Sequence, residues 1–180
     1  LSNFSRLLID PNRGLDDPTL VMRLSDGAIV PGNRALDATG VAERVARYYK
    51  PYDVAIETAV EAALAAGHPP AIVSIHSFTP FWKDAARPWH VGVLWDHPGT
   101  LSKLLIAALQ ADPELIVGDN EPYSGGLPGD TIDRHATRRG LPDTLIEVRQ
   151  DLIATRADAF VWGRRLAAVL PGCLAALRAR

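Results

Sequence analysis

The stretch Ala71-Ile72-Val73-Ser74-Ile75-His76 is almost wholly apolar and rich in β-branched side chains. Such a short run is typical of a strand that is buried on both faces of a sheet. His90–Trp95, with the sequence HVGVLW, and Thr144–Arg149 have the same character. Helical segments separate these runs, so the sequence predicts an α/β layered domain with a mostly parallel sheet.

Helical segments are predicted before, between and after these strands in the sequence. Thr39 is a candidate N-cap for a first helix, and Pro51 is expected to kink or restart that helix because proline lacks the amide hydrogen. Leucines and alanines at helical spacing over Leu101–Leu109 predict an amphipathic helix. A last helix is expected from about Thr155, with a break at Pro171-Gly172.

The remaining segments are shorter or irregular. Phe4–Ile9 is a candidate short strand, and Leu115–Gly118 is another. Residues 10–38 are rich in proline and glycine without sustained periodicity, which predicts an irregular loop of a kind that often carries function. Thr131–Arg139 is expected to form a short helix that ends at Gly140.

The composition is that of an ordinary globular domain. The chain has 180 residues, a formal net charge of −2, 47% hydrophobic residues and 22% charged residues, and 1–180 is predicted to form a single domain. The near-neutral charge gives no electrostatic footprint for nucleic acid, and no uninterrupted apolar run approaches the roughly 20 residues that span a bilayer. The single cysteine, Cys173, excludes an internal disulfide and is consistent with a reducing compartment.

The chain begins with Leu1, and its only methionine is Met22. The first ten residues carry no long apolar stretch behind a basic end, so they do not resemble a signal peptide. We therefore expect further residues to precede Leu1 in the gene product.

Glu147 is an acidic residue in the middle of an apolar strand, Leu145-Ile146-Glu147-Val148-Arg149. The two-residue period of a strand places Leu145, Glu147 and Arg149 on one side. A carboxylate there is costly unless it is paired or lies at a cavity. Two interpretations follow: a structural ion pair with Arg149 or with a helix, or a general base at a cleft.

The histidines give a less specific signal. His76 ends the first apolar strand, at the edge where α/β sheets bind ligands, and is either a hydrogen-bonded neighbour or a metal ligand. A metal site normally needs three protein ligands, and no HExxH spacing occurs in the sequence. His135 lies in the polar segment Asp133-Arg134-His135-Ala136, which predicts an exposed side chain.

A colinear set of short segments spans nearly the whole chain: Phe4–Asp10, Asn12-Arg13, Ser25-Asp26-Gly27, Pro31-Gly32-Asn33, Ile75–Pro80 (IHSFTP), Arg87-Pro88-Trp89, Asp119–Tyr123 (DNEPY), Arg134-His135, Gly140-Leu141-Pro142 and Ile146–Leu152 (IEVRQDL). This set resembles the N-formylglutamate amidohydrolase family. The family is similar in fold to zinc-dependent exopeptidases and to zinc N-acetylmuramoyl-alanine amidases. The resemblance therefore implies a three-layer α/β/α sandwich around a mixed sheet and a zinc-dependent amidohydrolase.

The resemblance also implies roles for individual residues. His76 is similar to the last zinc ligand of that superfamily, and Glu147 to the late-strand glutamate that acts as general base. The other zinc ligands are expected upstream of Leu1, because family members carry them in an earlier segment. The implied substrate-binding residues are Arg149, Arg13 and Asn12, which would hold carboxylates, and Asn120, Tyr123 and His135, which would line the pocket.

The expected activity is hydrolysis of the amide of a small N-acyl amino acid, such as N-formyl-L-glutamate, to formate and glutamate, with one zinc ion as cofactor. The implied setting is histidine degradation in the cytoplasm, with a small-molecule substrate and neither nucleic acid nor membrane as partner. Two alternatives stay open: an amidase of the same fold that acts on peptidoglycan or N-acyl peptides, and a non-catalytic module that binds carboxylates without metal.

Overall fold

The apolar segments form the strands of an α/β structure. The computed structural model describes residues 2–179. Its main elements are α1 (Ala38–Arg44), α2 (Lys50–Ala65), β1 (Ile72–Phe78), β2 (Val91–Leu94), α3 (Thr100–Gln110), β3 (Val117–Asp119), α4 (Thr131–His135), β4 (Asp143–Arg149) and α5 (Arg156–Arg178). Minor elements are a π turn at Val45–Tyr49, 3-10 turns at Pro31–Asn33, Thr137–Arg139 and Gln150–Ile153, and hairpins of two-residue strands at Leu24–Ser25 with Ala28–Ile29 and at Phe81–Trp82 with Ala85–Ala86.

The described chain divides into two compact units. The helical unit consists of residues 2–70 and Leu127–Arg139, and the sheet unit consists of Ala71–Gly126 and residues 140–179. The helical unit therefore contains α1, α2 and α4, and the sheet unit contains the main strands with α3 and α5. One catalytic domain over 1–180 stays a prediction.

The sheet unit is built on a mixed four-stranded sheet in the order β1-β4-β2-β3. β1 runs parallel to β4 and β2 parallel to β3, while β2 and β4 are antiparallel. The predicted α/β fold with a mostly parallel mixed sheet is thus confirmed. The register aligns His76 with Glu147, Glu147 with Gly92, and Gly92 with Gly118. These positions form one row across the sheet.

The hydrophobic core of the sheet unit lies on the other face of these strands. Val91, Val93, Ile146 and Val148 are at most 3% exposed and pack against helices α3 and α5. Each buried side chain of this kind stabilises the fold by roughly 1.5–3 kcal/mol. The helices contribute Leu101, Leu105 and Leu109 from α3 and Trp162, Leu166 and Cys173 from α5.

β1 lies at the edge of the sheet, so the prediction that Ala71–His76 is buried on both faces is wrong. Ile75 is 62% exposed, although its neighbour across the ladder, Ile146, is fully buried. Within residues 2–179, β1 pairs with β4 alone. An apolar composition favours a strand, but the position of that strand in the sheet depends on the rest of the fold.

The predicted strand at Phe4–Ile9 is also wrong, because this segment consists of turns and irregular backbone. The amide of Leu8 donates to the carbonyl oxygen of Ser5 at 2.9 Å, and the amide of Leu7 donates to the Ser5 hydroxyl at 3.2 Å. These local bonds use donors that a strand would offer to a partner. Residues 10–38 form an irregular loop with only short elements, as predicted.

The first helix begins earlier than predicted. Its N-cap is Asp37, whose carboxylate accepts a hydrogen bond from the amide of Gly40, and not Thr39. Pro51 restarts the helix as expected, because it occupies the first turn of α2 directly after the π turn. A missing amide hydrogen is tolerated in a first turn.

The final helix begins at the predicted place. Thr155 caps α5 and forms a reciprocal capping box with Asp158. The predicted break at Pro171 is wrong, since α5 continues through that residue, which lies on the exposed side of the helix. By length and composition alone α5 is long and apolar enough to cross a membrane, a test that core helices also pass. Here one side of α5 packs against α3 in the core.

Gly92→Ala is expected to destabilise the protein. A Cβ at position 92 would overlap the backbone carbonyl oxygen of Glu121, which is not free to rotate away. Overpacking of this kind costs about 1–3 kcal/mol of unfolding free energy, which denaturant titration measures. Gly163→Ala in α5 is the control, because its new Cβ would meet open space. That variant should be slightly more stable, by about 0.5–1 kcal/mol. Equal stability of the two variants would contradict the close approach at Gly92.

Candidate functional site

The two residues with the most specific predicted roles are neighbours in the sheet. His76 in β1 and Glu147 in β4 are register partners, so both side chains project from the same face, opposite the core helices. Glu147 is only 6% exposed, and His76 is half-buried with Nε2 at 3.0 Å from the hydroxyl of Ser74. The structure therefore brings together the imidazole and the carboxylate that were predicted to act together.

Glycines complete this row and let a loop approach the sheet. At Gly118 a Cβ would lie 2.6 Å from the carbonyl oxygen of Glu121, and at Gly92 it would overlap the same atom. The loop after β3 thus packs directly on the face that carries Glu147. Side chains at either position would push the loop away from the sheet.

Asn120 holds the start of that loop. It adopts the left-handed backbone conformation (φ 52°), which asparagine tolerates better than most residues. Its side-chain oxygen accepts hydrogen bonds from the amides of Trp95 at 2.9 Å and Gly125 at 3.1 Å. Asn120 therefore fixes the backbone that leads to Tyr123, and its predicted contact with substrate stays a prediction.

Arg149 is fully engaged within the protein. Its Nε and Nη2 donate to the two carboxylate oxygens of Asp151 at 2.8 and 3.2 Å. Its Nη1 donates to the backbone carbonyl oxygens of Arg87, Pro88 and Trp89 at 3.2–3.4 Å. The hydrogen bond from Arg149 lowers the pKa of Asp151 below its ordinary value. The predicted grip of Arg149 on a substrate carboxylate would require these bonds to be exchanged.

Arg87 received no role from the sequence, yet it is the most enclosed cation of the sheet unit. It is 9% exposed, and its guanidinium lies 5.0 Å from the ring centroid of Tyr123, 5.3 Å from that of Trp82 and 5.9 Å from that of Phe78. Such distances are within the range of cation–π attraction. Phe78 and Trp82 precede Arg87 by nine and five residues, whereas Tyr123 comes from the distant loop after β3, so the sequence alone does not show that the three rings enclose one guanidinium.

The other predicted substrate residues lie in the helical unit. The side-chain oxygen of Asn12 accepts from the amide of Thr131 at 3.2 Å. Arg13 donates to the Thr19 hydroxyl at 3.1 Å and lies 3.8 Å from Asp10. Asn12 therefore ties its loop to the start of α4, and Arg13 secures the loop itself. Their predicted contact with substrate stays a prediction.

His135 is buried, so the prediction of an exposed side chain is wrong. It is 3% exposed, with Nε2 at 2.7 Å from the carboxylate of Asp53 in α2. Arg134 binds the same carboxylate oxygen through Nε and Nη2 at 3.2 and 3.0 Å. The contact with the Asp53 carboxylate explains why His135 is buried although it belongs to the polar helix α4. Within the described residues, Nδ1 of His135 makes no hydrogen bond.

Metal ligands do not cluster in the described part of the chain. Between residues 2 and 179, no three side chains of His, Cys, Asp or Glu lie together as a metal site requires. A zinc site normally takes three or four protein ligands. His76 and the other described residues therefore do not by themselves fit the zinc ion that the resemblance implies.

The amino-terminal end of α4 carries a buried carboxyl group. Asp130 is 6% exposed, and its Oδ1 accepts from the amide of Asp133 at 2.8 Å. Burial raises the pKa of Asp130 above its ordinary value of 3.8, and the hydrogen bond from Asp133 offsets only part of that rise. Ionised Asp130 is therefore less favourable in the folded protein than in water.

Comparison with known proteins agrees with this fold. The family model for N-formylglutamate amidohydrolase matches residues 1–154. The crystal structure of the gene product Atu2144 from Agrobacterium tumefaciens is 30% identical, with a TM-score of 0.90 over 97% of this chain and 69% of that chain. The structure of an N-formylglutamate amidohydrolase from Ralstonia eutropha JMP134 is 23% identical, with a TM-score of 0.71 over 98% of this chain and 76% of that chain, a likeness of fold alone. No curated protein matches the chain.

Asp130→Asn is expected to stabilise the protein near neutral pH. The folded state holds the Asp130 proton more tightly than the unfolded state, so parent stability falls as pH rises from about 4 through the raised pKa. Asparagine keeps the capping oxygen and has no proton to lose. The stability difference between variant and parent, measured by denaturant titration, should grow with pH in this window. Asp37→Asn, at the exposed cap of α1, is the matched control and should show no comparable gain. A pH-independent difference for Asp130→Asn would contradict the burial argument.

Proposed function

Because the chain belongs to the N-formylglutamate amidohydrolase family, we propose that it hydrolyses the amide of a small N-acyl amino acid such as N-formyl-L-glutamate. The products are formate and L-glutamate. An amide hydrolase of this kind takes a small-molecule substrate. Histidine degradation and a cytoplasmic location stay predictions.

The observation that carries the proposal is the buried Glu147 carboxylate beside His76. Both lie on one face of the sheet at register-paired positions, with Gly92 next in the row. Burying a carboxylate among apolar strands costs several kcal/mol of folding free energy unless polar neighbours compensate, so a carboxylate at such a position is a candidate for function. A general base needs this combination of a fixed position and limited contact with bulk water.

The chemistry assigns Glu147 two proton transfers. It takes a proton from a water molecule whose oxygen attacks the acyl carbon of the substrate amide. It then returns that proton to the nitrogen as the C–N bond breaks, which releases the carboxylic acid and the free amine. The same residue therefore acts first as base and then as acid. His76 is the neighbouring group that contacts the reacting centre.

We also propose that the hydrolysis depends on a zinc ion. A bound zinc ion would lower the pKa of a water molecule to about 7 and polarise the substrate carbonyl. The described residues offer His76 as a candidate ligand but no set of three. The role of Glu147 as proton carrier is proposed independently of the ion.

Glu147→Gln is expected to lower kcat for N-formyl-L-glutamate roughly 10²–10⁴-fold, because glutamine cannot accept the proton of water. The amide has nearly the same shape, so the thermal unfolding curve should change little. Glu114→Gln is the control, since Glu114 is an exposed glutamate of the same unit. Near-normal turnover by Glu147→Gln would remove Glu147 from the mechanism.

Metal content is tested on the full-length protein by elemental analysis. We expect about one zinc per chain, lost together with turnover on treatment with a chelator and restored by added zinc. His76→Asn should lower the zinc content, whereas His97→Asn, at an exposed position, should not. Turnover without metal would reject zinc dependence. A protein without metal and without turnover would favour the non-catalytic carboxylate-binding module.

A further inference from the structure

Arg87 is a buried cation without an anionic partner in the described chain. Its contacts between residues 2 and 179 are the three aromatic rings, the carbonyl and hydroxyl oxygens of Thr79, and the phenol oxygen of Tyr123. All of these groups are uncharged. Buried charges in proteins are normally paired, because aromatic rings and neutral oxygens replace only part of their hydration. Arg87 is therefore prepared for an anion that this part of the chain does not supply.

The unused donors of Arg87 lie on one edge of its guanidinium. Nη1 donates to Tyr123 Oη at 3.0 Å and to Thr79 Oγ1 at 3.3 Å. Within residues 2–179, Nε and Nη2 donate to no protein atom. Parallel N–H groups on this edge match the two oxygens of a carboxylate.

The same protein shows how that edge is used when a carboxylate is present. Arg149 binds both oxygens of Asp151 through its Nε and Nη2, at 2.8 and 3.2 Å. Arg134 uses the same two atoms to bind Asp53. Arg87 presents this pair of donors with its remaining nitrogen already fixed, so its orientation is set before any ligand arrives.

Arg87 also lies at the same end of the sheet as the candidate active site. Its contact Phe78 ends β1 two residues beyond His76, and its contact Thr79 follows directly after the strand. Its carbonyl oxygen accepts a hydrogen bond from Arg149, the register partner of Phe78. Two residues along a strand span roughly 6.6 Å. Arg87, which lies over the Phe78 ring, is thus one two-residue repeat along β1 from the row that carries His76 and Glu147.

We propose that Arg87 binds a carboxylate of the substrate through Nε and Nη2, and that Tyr123 positions the guanidinium through Nη1. The inference rests on the proposed function for the identity of the ligand, an N-acyl amino acid. It assigns to Arg87 a carboxylate contact of the kind that the family resemblance implied for Arg149. Arg87 thus determines specificity and takes no part in proton transfer.

The test compares Arg87→Lys with the parent in two separate measurements. Binding of L-glutamate, the product, is measured by titration calorimetry, which does not require turnover. Steady-state kinetics then give KM and kcat for N-formyl-L-glutamate and for N-formyl-L-glutamine. Lysine keeps the charge but loses the paired donors, so we expect roughly 10- to 100-fold weaker glutamate binding and a similar rise in KM. kcat should change only a few-fold.

Two further variants serve as controls. Arg156→Lys replaces an exposed arginine that also lies over an aromatic ring, Phe160, and should leave both measurements unchanged. Arg149→Lys tests the rival assignment directly. The pair of substrates identifies the carboxylate, since a KM effect of Arg87→Lys confined to N-formyl-L-glutamate indicates the side-chain group. An equal effect on both substrates indicates the α-carboxylate.

Several results would overturn the inference. Unchanged glutamate affinity in Arg87→Lys, or weakening confined to Arg149→Lys, rejects it while leaving the hydrolase proposal intact. A parent that binds neither glutamate nor N-formyl-L-glutamate also rejects it. Conversely, Arg87-dependent binding of glutamate without hydrolysis supports the inference and rejects the proposed function.

If Arg87→Lys fails to fold, as judged by near-ultraviolet circular dichroism, Tyr123→Phe takes its place. It removes only the phenol oxygen and should weaken glutamate binding several-fold, and unchanged affinity would reject the inference.

Discussion

The sheet unit depends on a strand register that keeps the carboxylate of Glu147 on the face opposite the hydrophobic core. Glu147 lies between Ile146 and Val148, whose side chains face the hydrophobic core formed with α3 and α5. The strand register therefore separates the polar face of the sheet from its apolar face. A slip of one residue would turn Glu147 into the core, at a cost that the fold could not absorb. The alternation of apolar and charged residues in β4 therefore specifies the register that β4 shares with the strands on both its sides. The glycines of the same row then give the loop after β3 access to that face.

Much of this fold could be predicted from hydrophobic pattern. The strands β1, β2 and β4 and the helix α3 follow apolar runs whose period is clear, and Thr155 marks the start of α5. The predictions are wrong where the local structure is determined by contacts between residues distant in sequence, or by hydrogen bonds between near neighbours. Phe4–Ile9 forms turns because Ser5 binds nearby amides, and α5 continues through Pro171 despite the missing amide hydrogen.

The candidate site divides in the same way. Glu147 beside His76 could be predicted, because strand periodicity and the family resemblance both indicated these residues. Residue type alone cannot show whether an arginine has donors to spare. The resemblance implies that Arg149 binds a substrate carboxylate, which stays a prediction, and in the structure Asp151 and backbone carbonyl oxygens accept its hydrogen bonds. The surroundings of Arg87 combine two nearby rings, Phe78 and Trp82, with Tyr123, which only the folded chain brings to them.

The edge position of β1 has a consequence for handling the protein. Over Ile72–Phe78 the strand carries neither lysine nor proline, and its apolar Ile75 faces solvent. Residues of those two types, or a backbone bulge, commonly discourage edges from joining. In a concentrated solution of this 180-residue polypeptide, the edge of β1 is therefore a template on which the backbone of a second molecule can pair.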